Sequence, residues 1–201
     1  MDVEKIVKEI KKGNLVIIPT DTVYGISADM NNEKAIEKVF EAKKRDKNKP
    51  LILLVSNLEM LKKYVKKISP LEEKIIKKYM PGRLTMLFLK NEEVSDLVTA
   101  GSFFVGIRIP DDLNLIKIIN KVGNPIISTS ANISGENTVT NVKNIDKKLL
   151  KYVSYVEDAG IIESFPSTVI KVEDDEITIL RKGDIALKIV KDGNFKIRGE
   201  L

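Results

Sequence analysis

The sequence predicts an α/β domain built on a twisted, mixed parallel and antiparallel sheet with helices on both faces. Three observations lead there. Amphipathic stretches of helical period alternate with short apolar runs along the whole chain, and such interleaving favours an α/β architecture. Several of the runs, such as Leu51-Ile52-Leu53-Leu54-Val55, are apolar throughout, as strands covered on both faces are. Finally, the turn pair Asp174-Asp175 separates two β-rich runs and predicts a hairpin, so part of the sheet is antiparallel.

The elements follow in order. A helix is predicted over 2–12, with Val3, Ile6, Val7 and Ile10 on one face, then a strand over 14–18. A helix over 32–44 buries Ala35, Ile36, Val39 and Phe40, and a strand follows at 51–55. A short helix at 57–66 leads to a second that opens on Ser69-Pro70. There Ser69 and Glu72 form a capping box, with Pro70 at the first helical position. Pro81-Gly82 ends that helix, and strands follow at 84–89 and 103–108. Next come a helix over 112–121, a strand over 125–128, a helix over 145–151 and a strand over 153–156. The hairpin strands are 168–172 and 177–180; a helix at 184–190 and a short final strand complete the pattern.

The 201 residues suit a single domain with a substantial core, 1–201, and no Pro/Gly/Ser-rich linker divides them. No apolar run approaches the roughly 20 residues of a membrane helix, and the first residues lack the apolar centre of a secretory signal. A cytoplasmic protein, not a membrane one, is the expectation. Cysteine and histidine are both absent. That removes disulfides, thiol nucleophiles, the commonest general base and the commonest metal ligand, so zinc is not expected. Catalysis must then rest on carboxylates, lysines, hydroxyls, or positioning and electrostatics. The net charge of +5 fits a lysine-rich solvated surface, or a ligand carrying phosphates.

Four polar clusters stand at or near strand ends, where ligand sites of α/β sheets form. The first is Thr20-Asp21-Thr22 with Tyr24 and Gly25. The second is Glu41 to Pro50, carrying Lys43, Lys44, Arg45, Lys47 and Lys49; arginine forks and lysine point charges together suit a polyphosphate. The third holds Ser128, Thr129, Ser130, Asn132, Ser134 and Gly135, a composition that suits a loop approaching an anion. The fourth groups Ser167, Thr168 and Arg181, with Arg108 near by. Each cluster also has an ordinary reading as turn, cap or solvated helix end. Neither GxxxxGK[ST] nor a GxGxxG after a strand is present, which disfavours a P-loop or dinucleotide fold.

Taken in order, these clusters resemble the YrdC/TsaC family of threonylcarbamoyl-AMP synthases. Its P-T-[DE]-T-x-Y-G motif matches Pro19 to Gly25, its K-x-R followed by P-L matches Lys43 to Arg45 and Pro50-Leu51, and its S-x-S-A-N-x-S-G matches Ser128 to Gly135. Its S-T-V and I-L-R elements match Ser167 to Val169 and Ile179 to Arg181. The resemblance covers nearly the whole chain and implies a YrdC-like sheet with a deep, positive cleft. It implies formation of threonylcarbamoyl-AMP and pyrophosphate from L-threonine, bicarbonate and ATP with Mg2+, for modification of tRNA position 37. A separate threonylcarbamoyl-transferase would then use the product.

By the same resemblance Thr22, Arg108, Ser128 and Ser167 would contact threonine. Arg45, Lys49, Ser130, Asn132, Thr138 and Arg181 would contact ATP, and Lys43 and Arg45 would act in catalysis near its phosphates. Asp21 would orient the site or a metal-bound water, or else fix Thr20 or Thr22 in a local turn. Two positions depart from the pattern: Lys49 stands where asparagine is common, and Leu54 where histidine is common. The chemistry suits a chain without histidine, because nucleotidyl transfer depends mainly on alignment and charge neutralisation. Three other readings compete: a tRNA or double-stranded RNA-binding module of the same fold without catalysis, a carbamoyl-adenylate activity like that of hydrogenase maturation proteins, and an inactive paralogue. Only 5% of the residues are aromatic, which disfavours base-stacking recognition of RNA.

Overall fold

The computed structural model describes residues 1–162, 164–183, 185–191 and 196–198. Among the described residues ten strands form one sheet. They are β1 (Leu15–Ile18), β2 (Gly25–Asp29), β3 (Ile52–Leu54), β4 (Leu84–Leu89), β5 (Phe104–Arg108), β6 (Ile126–Ser130), β7 (Val153–Val156), β8 (Thr168–Glu173), β9 (Glu176–Arg181) and β10 (Lys196–Ile197). Their order across the sheet is β10-β9-β8-β4-β5-β3-β6-β2-β1-β7. The pairings β1–β7, β3–β5, β4–β8 and β9–β10 are parallel and the others antiparallel, so the sheet is mixed as predicted.

The helices are α1 (Val3–Lys11), α2 (Glu33–Lys43), α3 (Leu58–Lys62), α4 (Pro70–Tyr79), α5 (Asp96–Thr99), α6 (Leu113–Val122), α7 (Lys147–Leu150) and α8 (Ala186–Lys191). The starts of α1 to α7 are set by side chains that accept the first free backbone N–H groups: Asp2, Asn32, Asn57, Ser69, Ser95, Asp112 and Asp146. The capping box at Ser69 forms in full, with Glu72 returning to the Ser69 N–H. Two expectations shrink: 57–66 is helical only over α3, and 145–151 only over α7. The final helix forms as α8, with residue 184 of the predicted span outside the described residues.

Strand β2 is absent from the sequence reading. Its residues, Gly25-Ile26-Ser27-Ala28-Asp29, alternate small or polar with apolar, a period-2 signal masked by the polar turn just before it. It lies between β1 and β6 and is antiparallel to both.

The two faces of the sheet are covered differently. One packs a continuous core of residues such as Leu15, Ile17, Ile26, Leu53, Ile107, Ile127, Met86 and Ile170 beneath α2 and its neighbours. On the other, α1 and α6 seat Ile6, Ile10, Leu115, Ile118 and Ile119 on Val16, Ile18, Leu54 and Ile126. That second cover stops at β3. Residues of β4, β5, β8 and β9 take no part in it, and the polar clusters from both sides of β3 meet on this same face.

In the hairpin between β8 and β9, Asp174 and Asp175 both take positive φ, 51° and 58°. This is the two-residue turn in which asparagine and glycine are preferred. Asp174 has a partner in Arg198, at 3.7 Å, whereas Asp175 has no ion-pair partner among the described residues and brings its backbone strain. Asp175→Gly is therefore expected to raise the unfolding free energy by about 0.5–1 kcal/mol. Denaturant melts of the two proteins measure it, and equal midpoints would refute the assignment of strain to this residue.

Candidate active site

Register places the site. Val16 lies opposite Ser27, and Ile18 opposite Gly25; on the next strand Ser27 lies opposite Ser128, and Gly25 opposite Ser130. Opposed residues share a face, so Ser128 and Ser130 stand on the side that α1 and α6 cover farther along. Across β3 the same row continues through Ile52 to Gly106 and through Leu54 to Arg108. A cavity of about 220 Å³ opens on this face, lined among others by Thr20, Thr22, Arg45, Arg108, Ser128, Ser130, Thr138, Ser167 and Arg181. It lies across the sheet surface, not only beyond the strand C-termini: Ile52 and Ser167 come from strand beginnings.

The threonines after β1 build a turn. Thr20 Oγ1 donates to the Val23 carbonyl at 2.7 Å and accepts the N–H groups of Thr22 and Val23, both at 3.1 Å. It also shares a 2.8 Å hydrogen bond with Thr22 Oγ1. Because the Thr20 hydroxyl proton goes to Val23, Thr22 supplies the proton of that shared bond and is left accepting from Arg108 Nη1 at 3.3 Å. Asp21 turns the other way. Its carboxylate accepts from Arg108 Nη1 at 2.9 Å and from the Asp111 N–H at 3.2 Å. Asp21 thus orients the site through Arg108; the Thr20 and Thr22 turn is held by Thr20 itself.

Arg108 is 3% exposed, and its Nε is buried with no hydrogen-bond partner among the described residues. Burial lowers the proton affinity of its guanidinium, and the charge of Asp21 opposes that. Burial likewise pushes the Asp21 carboxyl up, against the pull of Arg108. The ion pair keeps both groups charged in an interior that favours neither alone.

Arg45 follows the C-terminus of α2, where Lys44 takes a left-handed conformation (φ 48°). Its Nε donates to the Lys49 carbonyl at 3.2 Å and its Nη2 to the Pro50 carbonyl at 2.8 Å. Arg181 is fixed in the same manner, Nε to the Ser167 carbonyl at 3.0 Å and Nη2 to Ser167 Oγ at 2.9 Å. Ser167 Oγ is itself 2.8 Å from Thr85 Oγ1. Three guanidiniums therefore face one cavity, and among the described residues no carboxylate lines it. Such a surface attracts polyanions and planar carboxylates.

Close backbone approach shapes the rest. A Cβ at Gly25 would stand 2.6 Å from Ser128 Oγ, and one at Gly183 would stand 2.5 Å from both Pro166 O and Thr168 N. Gly183 thus lets the Arg181 strand lie directly against the Ser167 turn. Tyr24, fully buried, accepts from the Ala159 N–H at 2.9 Å and donates to the Gly160 carbonyl at 2.8 Å. It anchors the segment after β7 to the turn after β1.

Of the residues expected to bind or react, Thr22, Arg45, Arg108, Ser128, Ser130, Thr138, Ser167 and Arg181 line the cavity. Three others do not. Lys43 is buried below the loop after β6, where Nζ donates to the carbonyls of Ser130 and Asn132. Asn132 uses its Nδ2 to hold the Ile133 and Glu136 carbonyls, at 2.9 and 2.8 Å, and so shapes the loop. Lys49 has an exposed side chain and contributes its carbonyl to Arg45. The departure at Leu54 also falls outside the cavity, since Leu54 packs beneath α6. Sequence reasoning missed Val23, Ile52, Pro166 and Val169 in the lining. The alternation along β8, with Ile170 buried and Val169 opposed to Arg181, was the available signal.

Residues 8–183 match the family model of Sua5/YciO/YrdC proteins, described as "Telomere recombination". The chain belongs to this family. Within the Sua5/YciO/YrdC family it is 45% identical over 182 residues to a Methanocaldococcus jannaschii protein provisionally named a threonylcarbamoyl-AMP synthase, covering 90% of this chain and 85% of that one. It is 33% identical to a Pyrococcus abyssi threonylcarbamoyl-AMP synthase, covering 96% of this chain but 56% of the relative. A crystal structure of Pyrococcus abyssi Sua5 complexed with L-threonine superposes with a TM-score of 0.90 at 31% identity, over 98% of this chain and 60% of that one. This chain thus spans little more than half of the Pyrococcus protein. Escherichia coli YciO, at 23% identity and a TM-score of 0.82, shows the shared fold.

Proposed function

We propose that this chain is a threonylcarbamoyl-AMP synthase, a nucleotidyltransferase that joins L-threonine, bicarbonate and ATP into threonylcarbamoyl-AMP with release of pyrophosphate. The observation that carries the reading is the convergence of Arg45, Arg108 and Arg181 with a row of hydroxyls in one cavity that no carboxylate lines among the described residues. The names of the relatives and the L-threonine complex of the Pyrococcus protein support it. They favour it over an RNA-binding module without catalysis.

The chemistry needs little from the protein as acid or base. The threonine amine adds to carbon dioxide drawn from bicarbonate, losing a proton to solvent and forming a carbamate. A carbamate oxygen then attacks the α-phosphorus of ATP, and the bond to the β-phosphate oxygen breaks as pyrophosphate leaves. Arg108, Thr22, Ser128 and Ser167 would seat threonine, Arg108 gripping its carboxylate. Arg45, Ser130, Thr138 and Arg181 would hold the nucleotide and neutralise charge on the departing pyrophosphate. The donor set does not suit a protein-held metal: Asp21 is already engaged by Arg108 and the Asp111 N–H. Mg2+ would therefore arrive on the triphosphate, as part of the substrate. The same reading includes delivery of the product to a tRNA-modifying transferase, in the cytoplasm. Among the described residues no helix is long and apolar enough to cross a membrane.

The test is pyrophosphate release by the purified chain given ATP, bicarbonate and each amino acid in turn. Release that requires both threonine and bicarbonate is the expected result. Salt-sensitive tRNA binding with no ATP consumed would instead select the RNA-binding reading.

A further inference from the structure

Lys43 ends α2, yet its side chain is directed beneath the anion-facing loop and is 1% exposed. Its Nζ donates to the carbonyl of Ser130 and, at 2.6 Å, to that of Asn132; its own carbonyl accepts the Ser134 N–H at 2.8 Å. The loop is thus fastened to α2 by side chain and backbone at once. Ser130, whose carbonyl the amine holds, lines the cavity, and Lys43 itself does not. None of the ion pairs among the described residues includes Lys43.

The elements packed against α2 are β1, β2, α5 and α7. Their titratable groups are Asp29 on β2, Asp96 on α5, which pairs with Lys90 at 2.9 Å, and Lys147 and Lys148 on α7; Glu136 lies in the loop itself. The charge that presses on Lys43 is that of Arg45, two residues along. Burial, followed by this repulsion, lowers the Lys43 pKa to about 7. A lysine in this state keeps N–H donors for the two carbonyls whether or not it is charged.

Building on the ATP reading above, we propose that Lys43 is a positioning residue whose missing counter-charge is the triphosphate itself: phosphate filling the cavity on one side of the loop draws a proton onto Lys43 on the other. An anion close to an amine favours its charged form. By linkage, a site that gains proton affinity on binding takes up protons as it binds. Below pH 7 the amine already carries its proton and uptake is small. Above pH 7 it is mostly neutral, uptake approaches completion, and triphosphate affinity falls with rising pH, by up to about tenfold per unit.

The experiment is calorimetric titration of the full chain with ATP and, separately, with inorganic tripolyphosphate. It is run at about pH 8, where ATP is largely deprotonated, in two buffers of different ionisation enthalpy; tripolyphosphate still carries a proton there, so ATP gives the deciding proton count. The wild-type protein is expected to take up between about 0.5 and 1 proton per triphosphate bound. Lys43→Arg, charged throughout, is expected to bind without uptake, and Lys43→Gln to bind more weakly, also without uptake. Wild-type binding with no proton uptake overturns the proposal and needs no variant to fold. Equal uptake by Lys43→Gln overturns it as well. If neither probe binds, the ATP reading itself fails and the inference falls with it, an outcome distinct from binding without a proton.

Discussion

Arg108→Ala is expected to lower threonine-dependent pyrophosphate release by at least about 100-fold. It is also expected to cost about 3–5 kcal/mol of stability. Both effects come from one side chain in two roles. Toward the protein, Arg108 is the counter-charge of Asp21, whose side chain is 7% exposed; removing the guanidinium strands that carboxylate in the interior. Toward the cavity, it presents a planar donor set that, on the proposed function, grips the threonine carboxylate, and Thr22 accepts from its Nη1. The double variant Asp21→Asn with Arg108→Met separates the roles, because a neutral pair restores stability but not the grip on threonine. Recovery of both stability and activity would show that Arg108 has no part in binding substrate. Unchanged stability of Arg108→Ala would show that Asp21 is not buried as described.

Arg45→Ala is expected to slow the reaction by about 100-fold through loss of a fixed donor at the transferring phosphates. Lys49→Ala, which keeps the carbonyl that holds Arg45, is expected to change the rate by less than about threefold. The contrast follows from geometry: Arg45 is clamped by the carbonyls of Lys49 and Pro50 and lines the cavity, whereas the Lys49 side chain is exposed. Initial rates at saturating and limiting ATP measure both. A larger loss at Lys49 than at Arg45 would reverse the assignment.

What the sequence conveyed, and what it withheld, follows the range of the forces involved. Helix starts were legible because a cap is a local event: Ser69, Pro70 and Glu72 announce themselves within four residues. The ordered motifs also pointed to the residues that line the cavity, since each sits on a short segment of fixed type. The fate of individual cations was not legible. Lys43 and Arg45 are two residues apart on one helix end, yet one lies under the loop and the other faces the cavity. That difference depends on carbonyls of residues 130 and 132, more than 80 positions away. Asp21 hid its role for the same reason, its partner Arg108 being 87 residues distant. Leu54, which looked like a change in the site, is a core residue because the register sets it beneath α6.

Strand β6 presents Ile126 to the helical cover and Ser128 and Ser130 to the open cavity from the same side, with Ile127 on the opposite side in the larger core. A slip of this strand by a single residue would exchange those sides, pushing seryl hydroxyls into oil and an isoleucine into the ligand's place. Antiparallel neighbours on both flanks guard against such a slip, so the alignment that folds this protein is also the one that assembles its chemistry.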